Sequence, residues 1–358
     1  MESNTRAPLG LKAGDLVRVK SLEEIQATLD DNGSLEGMPF MPEMVRFCGR
    51  RMRVFRRAHK TCDTVEGLGG RSVNGGGVHL VDARCDGAAH GGCQNSCMIF
   101  WKDAWLSRTD ESEMGMPGMA AAPASDAPKA LPSMPVHWIY LVGPDVPSDQ
   151  VRWRCQATEA PKFTKELSPY RLSQYVEDLG SRNIDLKEFL AGTVHSFYRF
   201  LLSLGVGYRI LVAIHDWIQA RREGIPNPYI NGTLNRTPVQ TLDLKVGELV
   251  RIRPFREVMA TLDVNNKNRG LWFVPQEMGR FCGREARVVK RVDRIISERT
   301  GAMLIMKTPS VVLDEIYCTG RTVEKRVFCP RASALFWREI WLERVAESES
   351  GGPPSYPS

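Results

Sequence analysis

The sequence predicts a mainly β chain with an α insert, in which two homologous small β-barrel domains are joined by a helical segment. Three observations predict it. Residues 14–30 (GDLVRVKSLEEIQATLD) return as 247–263 (GELVRIRPFREVMATLD), 43–54 (EMVRFCGRRMRV) as 277–288 (EMGRFCGREARV), and 100–106 (FWKDAWL) as 336–342 (FWREIWL). The offset drifts only from 233 to 236 residues, the mark of one domain written twice. Inside each copy, apolar and charged residues alternate in runs of strand length, and between the copies the pattern turns helical.

Taken in order, residues 15–20 alternate as a half-buried strand does. Ser21 is placed to cap a short helix ending near Leu29, with Glu24 at the reciprocal capping-box position. Residues 30–33 (DDNG) read as a turn, and 51–57 and 78–83 as further strands. The second copy offers strands at 286–292, 303–307 and 310–313, with a turn at 299–301. Short strands, one early helix and tight turns fit a small barrel, and the opening run GDLVRV resembles the first strand of SH3-like barrels of the KOW kind. The predicted organisation is therefore a first repeat at 1–108, a flexible linker at 109–135 and a helical middle segment at 136–240. A second, degenerate repeat at 241–346 and a disordered tail at 347–358 follow. The linker is rich in Met, Pro, Ala, Gly and Ser. The middle segment has strand-like pieces at 138–142 and 151–155, then helical patterns at 169–179, 186–204 and 208–222.

Chemistry concentrates in the first repeat. Four of nine cysteines and three of six histidines fall between His59 and Cys97. Cys62, Cys85, Cys93 and Cys97, with His90 or His59, are the candidate metal ligands. A helix starting near Gly92 would put Cys93 and Cys97 on one face, and Gly87, Gly91 and Gly92 would let the loop fold around an ion. Thiolate ligands restrict the occupant to zinc, an iron–sulfur cluster or copper(I). Zinc takes four tetrahedral ligands, and a [4Fe–4S] cluster takes four cysteines with histidine outside. The spacing lacks the paired C-x2-C knuckles of zinc ribbons, so both metals stay open.

The second copy keeps Cys318 and Cys329 opposite Cys85 and Cys93, but Ser333 stands for Cys97, Ile296 for Cys62, and Asp293 opposite His59. A fold that depended on the ion would not survive that loss. The first copy's ion is thus expected to serve function. Cys48 and Cys282 share the context RFCG and read as small buried hydrophobes. Cys155 is an unassigned thiol, a fifth ligand or a nucleophile. His79, flanked by Val78 and Leu80, reads as a packing or surface residue.

Other patterns bound the partners. The formal charge of +6 permits an acidic partner without requiring one. Basic runs at 50–60 and 284–294 put cations on strand faces that could grip a phosphate backbone. No aromatic platform interleaves with them, and a solvated face is the plainer reading. Residues 186–222 combine aromatic and aliphatic side chains with Arg199, Arg209, Arg221 and Arg222. The expectation is an αα-hairpin packed between domains, with peripheral membrane contact as the alternative. No secretory leader and no span of about 18 uncharged apolar residues is expected, which points to a cytoplasmic protein with reduced thiols. No P-loop, dinucleotide fingerprint, G-x-S-x-G or H-E-x-x-H occurs.

The motifs HKTCDT, CDGAAHGGCQNSC and FCPR, with the paired FWK/FWR runs, resemble a family of uncharacterised bacterial tandem-repeat Cys/His proteins with SH3-like barrels. The likeness covers nearly the whole chain outside the linker and tail, and implies architecture without an activity. The expected function is a metal-binding tandem-barrel protein, an accessory or redox-type component of a bacterial biosynthetic pathway. The alternative is a non-enzymatic module that binds nucleic acid or protein around a structural zinc.

Overall fold

The alternation of residues 15–20 becomes the strand Leu16–Val19, with Val17 and Val19 fully buried, in a computed structural model that describes residues 9–65, 69–109, 134–205, 207–222, 224–321 and 327–345. The predicted linker, apart from its ends, and the predicted tail lie outside the described residues. The chain divides into two compact units. The first comprises Met1–Ser196, Arg294–Ile305 and Thr319–Ser333; the second comprises Phe197–Asp293, Met306–Cys318 and Ala334–Ser358. Strand exceeds helix, 28% against 25%, so the fold is mixed with a β majority. Its strands form several open sheets, and among the described residues no barrel closes.

In the first unit, Leu16–Val19 lies between Arg51–Arg57 and Leu106–Arg108, both antiparallel to it, with Val78–Leu80 beyond Arg51–Arg57. Ser21 caps the helix Leu22–Gln26 as expected: its Oγ accepts from Glu24 N at 3.2 Å and Glu24 Oε2 accepts from Ser21 N at 2.8 Å. A second sheet joins Thr164–Leu167, Gly70–Val73 and Lys60–Cys62. Trp101 and Trp105 fill the core, edge-on to Phe47 and Phe40 at 5.8 and 5.6 Å.

The i, i+4 spacing of those tryptophans is that of a helix, but no α-helix forms there. Trp101 bridges to Val78, a one-turn 3-10 segment covers Asp103–Trp105, and Leu106–Arg108 pairs with the first strand. Sheet partners take the backbone groups that a helix would need for itself.

In the second unit the sheet order is Ala334–Arg338, Met303–Tyr317, Glu285–Ile296, Leu249–Ile252, Leu342–Arg344, with Arg294–Ile305 counted in the first unit. The strands expected at 303–307 and 310–313 are one continuous strand, Met303–Tyr317. Corresponding residues keep their partners. Leu16 faces Arg53 and Leu249 faces Arg287; Val17 faces Arg108 and Val250 faces Arg344. Trp105 Nε1 donates to Thr28 Oγ1 at 3.1 Å, and Trp341 Nε1 to Thr261 Oγ1 at 2.9 Å.

The basic strand faces are partly spent inside each unit. Arg57 pairs with Asp103 at 2.8 Å, Arg291 with Glu339 at 2.9 Å, and Arg53 and Arg287 donate to the carbonyls of Gly14 and Gly247. The helical patterns become Ser173–Gly180, Leu186–Ser203 and Tyr208–Arg221. The burial expected of residues 186–222 is incomplete: Gly192 is buried and Phe189 stacks on Phe328, but Leu190, Phe197, Phe200, Ile210 and Trp217 are each more than half exposed.

Candidate functional site

Three strands and a loop bring the thiols together in the first unit. Cys85 follows Val78–Leu80, and its N–H donates to Cys97 O at 2.9 Å, closing the loop 85–97. Gly87 makes that closure fit. At φ +72° it packs so tightly that a Cβ there would lie 2.0 Å from Cys93 O. Only glycine combines this backbone with no side chain. Gly320, at φ +68°, sits in the same way against Cys329 O, so the tight loop recurs at the second cysteine pair. The helix expected near Gly92 does not form: Cys93 and Cys97 lie on irregular chain, with Ser96 at φ +52°.

Cys85, Cys93 and Cys97 line one cavity of about 30 Å³, together with Cys155, Met41, Ile296 and Arg331. Cys155 is therefore the fourth thiol of the group. The sequence offered it only as a fifth ligand or a nucleophile, because it lies 58 residues past Cys97 and outside the motif. Each sulfur already faces a donor. Ile296 N lies 3.3 Å from Cys93 Sγ, Asn95 Nδ2 lies 3.2 Å from Cys97 Sγ, and the backbone N–H groups of Thr158 and Ala157 face the Cys155 thiol. The Gly87 backbone donates to Cys85. Burial pushes the Cys97 thiol up to about 12, Cys155 to about 11 and Cys85 well above its ordinary value. Without an ion these thiols are protonated at neutral pH. None of the nine cysteines forms a disulfide.

Two buried ion pairs flank the cavity. Arg331 donates to Glu298 at 2.8 Å and to Thr64 at 3.0 Å, and its Nη1 lies 4.0 Å from Cys62 Sγ. Cys62 thus sits beyond the guanidinium and is not among the residues that line the cavity. Burial works against the Glu298 charge, but Arg331 outweighs it and holds the carboxyl below its usual range.

His90 lines the cavity wall, yet neither ring nitrogen is spare. Nε2 lies 2.9 Å from the Arg154 carbonyl and Nδ1 2.6 Å from Glu43 Oε1. A carbonyl only accepts, so Nε2 donates to it, and Nδ1 faces the Glu43 carboxyl. Burial alone would neutralise Glu43, and the bond from His90 reverses this, holding its carboxyl low. Glu43 and His90 are thus a buried hydrogen-bonded pair on the cavity wall, with both ring nitrogens of His90 engaged in this structure.

His59 lies elsewhere, outside the residues that line the cavity. Its Nε2 lies 3.3 Å from Asp178 Oδ1, beside buried Lys60. Lys60 Nζ reaches Asp178 at 2.5 Å, Gln174 at 3.4 Å and the Val327 carbonyl at 3.1 Å, which uses all three ammonium protons. Lys60 is satisfied there, whereas both ring nitrogens of His59 and Asp178 Oδ1 are buried without a hydrogen-bond partner among the described residues. His79 is fully buried, its Nδ1 2.9 Å from the Ile99 carbonyl, as a packing residue should be.

Among the described residues, no three His, Cys, Asp or Glu side chains already stand in a metal-holding arrangement. Among those residues also, no helix is long and apolar enough to cross a membrane. Compared with models of known protein families the chain matches none, and no curated protein matches its sequence.

Proposed function

We propose that the first unit binds a single thiophilic metal ion, zinc foremost, through Cys85, Cys93, Cys97 and Cys155. The observation that carries this is four thiols around one small cavity, each with a hydrogen-bond donor directed at its sulfur. Such donors orient thiolate ligands and spread their charge. They would be of little use to neutral packed thiols. Moving a cysteine between staggered rotamers carries its sulfur about 3 Å, so thiols that line one cavity have room to turn toward an ion.

Size favours a single ion over a cluster. A cavity of about 30 Å³ holds one or two water-sized guests. That suits one ion; an eight-atom [4Fe–4S] core would have to displace Met41 or Ile296. A bound ion would act as a Lewis acid or organising centre, the buried pair Glu43–His90 would keep one wall rigid, and Arg331 would place positive charge beside the thiolates. We read the chain as a cytoplasmic accessory component of a bacterial biosynthetic pathway, a compartment in which nine unbridged cysteines stay reduced. Its two sheets are read as opened relatives of one SH3-like barrel, duplicated and joined through a helical segment.

A nucleic-acid module is the lesser reading, because Arg53, Arg57, Arg287 and Arg291 are engaged internally. Elemental analysis of protein purified without chelators tests the proposal. One equivalent of zinc, lost in Cys97→Ser and retained in Cys48→Ser, is expected. Metal-free protein that takes up no zinc on addition overturns it, and a brown protein with several irons per chain overturns the size argument.

A further inference from the structure

We propose that the helices Leu186–Ser203 and Tyr208–Arg221 dock on an anionic lipid surface. On the first helix Leu186, Leu190, Val194, Phe197, Phe200 and, just past its end, Leu204 are each more than half exposed. At about 100° per residue these six positions fall within an arc of about 120°, a single stripe along some 27 Å of helix. The second helix repeats the pattern with Ile210, Ile214 and Trp217, again each more than half exposed. Water contact on this many large apolar side chains is a cost that monomeric proteins avoid unless something covers the face.

Charge identifies what covers it. Residues 186–222 carry five cations (Lys187, Arg199, Arg209, Arg221, Arg222) against two acids. Both acids are turned to other work: Glu188 pairs with Arg321, and Asp216 accepts from the Asn227 N–H at 2.6 Å and lies 3.0 Å from His215. Arg209, Arg221 and Arg222 are exposed, and the Arg221 guanidinium lies 3.6 Å above the Trp217 ring. Apolar stripes with an interfacial tryptophan and flanking arginines match the boundary between acyl chains and anionic headgroups. A second copy of the chain would instead bring like charges together. Neither helix is long and apolar enough to span, so the pair would lie in the interface.

The test is sedimentation of the full chain with vesicles of phosphatidylcholine alone and of phosphatidylcholine mixed equally with phosphatidylglycerol. The wild type should sediment with the mixed vesicles, and less so at high salt. The double variant Phe200→Glu/Trp217→Glu should lose about tenfold or more of that binding, since it removes two of the largest side chains that docking would bury. Arg209→Glu/Arg222→Glu should weaken binding to the mixed vesicles only. All these side chains are exposed, so the variants should keep the wild-type circular dichroism. Failure of the wild type to sediment overturns the proposal. So does a concentration-dependent dimer that Phe200→Glu/Trp217→Glu abolishes, which would assign the face to a second copy. Because the helices share no residue with the thiol cavity, either result leaves the metal reading untouched.

Discussion

Acid should unfold the first unit through His79 before it reaches most carboxylates. His79 is fully buried, its Nδ1 donates to the Ile99 carbonyl, and its ring packs 4.5 Å from that of Phe100. Burial lowers its pKa from 6.5 to about 3, with the charges of Arg331, Arg56 and Arg84 adding to the effect. The unfolded chain binds a proton near pH 6.5 and the folded chain does not. The stability this histidine supports is therefore present above pH 6.5 and falls as the pH drops toward 3. Between pH 7 and pH 5 the loss works out at about 2 kcal/mol. Urea unfolding followed by tryptophan fluorescence, at both pH values, measures it for wild type and for His79→Leu. The wild type should lose about 2 kcal/mol more than the variant over that interval. Equal losses in the two proteins would show that His79 already exchanges protons in the folded state, and would refute its burial as a neutral ring.

Breaking the Arg331–Glu298 pair from one side should cost about 3–5 kcal/mol, because the other charge stays buried; Arg331→Met/Glu298→Gln together should recover much of that by urea midpoint. Asp178→Ala should destabilise the unit more than Lys60→Met does, since it leaves a buried ammonium without its carboxylate, whereas Lys60→Met leaves Asp178 with His59 3.3 Å away. Gly87→Ala and Gly92→Ala share φ +72°, but only the first forces a Cβ into backbone. The Gly92 change should cost about 1–2 kcal/mol and keep the metal, whereas the Gly87 change should abolish zinc uptake in elemental analysis.

Local signals carried much of the fold. The capping box at Ser21 and Glu24 forms as its chemistry requires, and the alternation at 51–57 becomes the strand Arg51–Arg57. The tryptophans at 101 and 105 were legible as core residues but not as parts of a turn and strand. Their i, i+4 spacing is helical, and only the pairing with Val78 and Leu16–Val19 decides otherwise. The same limit applies to the site. Cys85, Cys93 and Cys97 were readable because they are close in sequence. Cys155 arrives from a later segment, and nothing in its immediate neighbours marks it. His59 and His90 looked like ligands by residue type, yet Asp178 and Glu43, distant in sequence, claim them. Ile296, the residue that stands for Cys62 in the second copy, lines the cavity and donates its N–H to Cys93. No spacing rule would have found that contact.

Cobalt(II) titration of the metal-free protein tests the central claim most directly, because sulfur-to-cobalt charge transfer reports thiolate ligands. Intense near-ultraviolet absorption saturating at one equivalent is expected, reduced by about a quarter in Cys155→Ser and unchanged in Cys62→Ser. Full intensity in Cys155→Ser with loss in Cys62→Ser would contradict the assignment, and no charge transfer at all would end it.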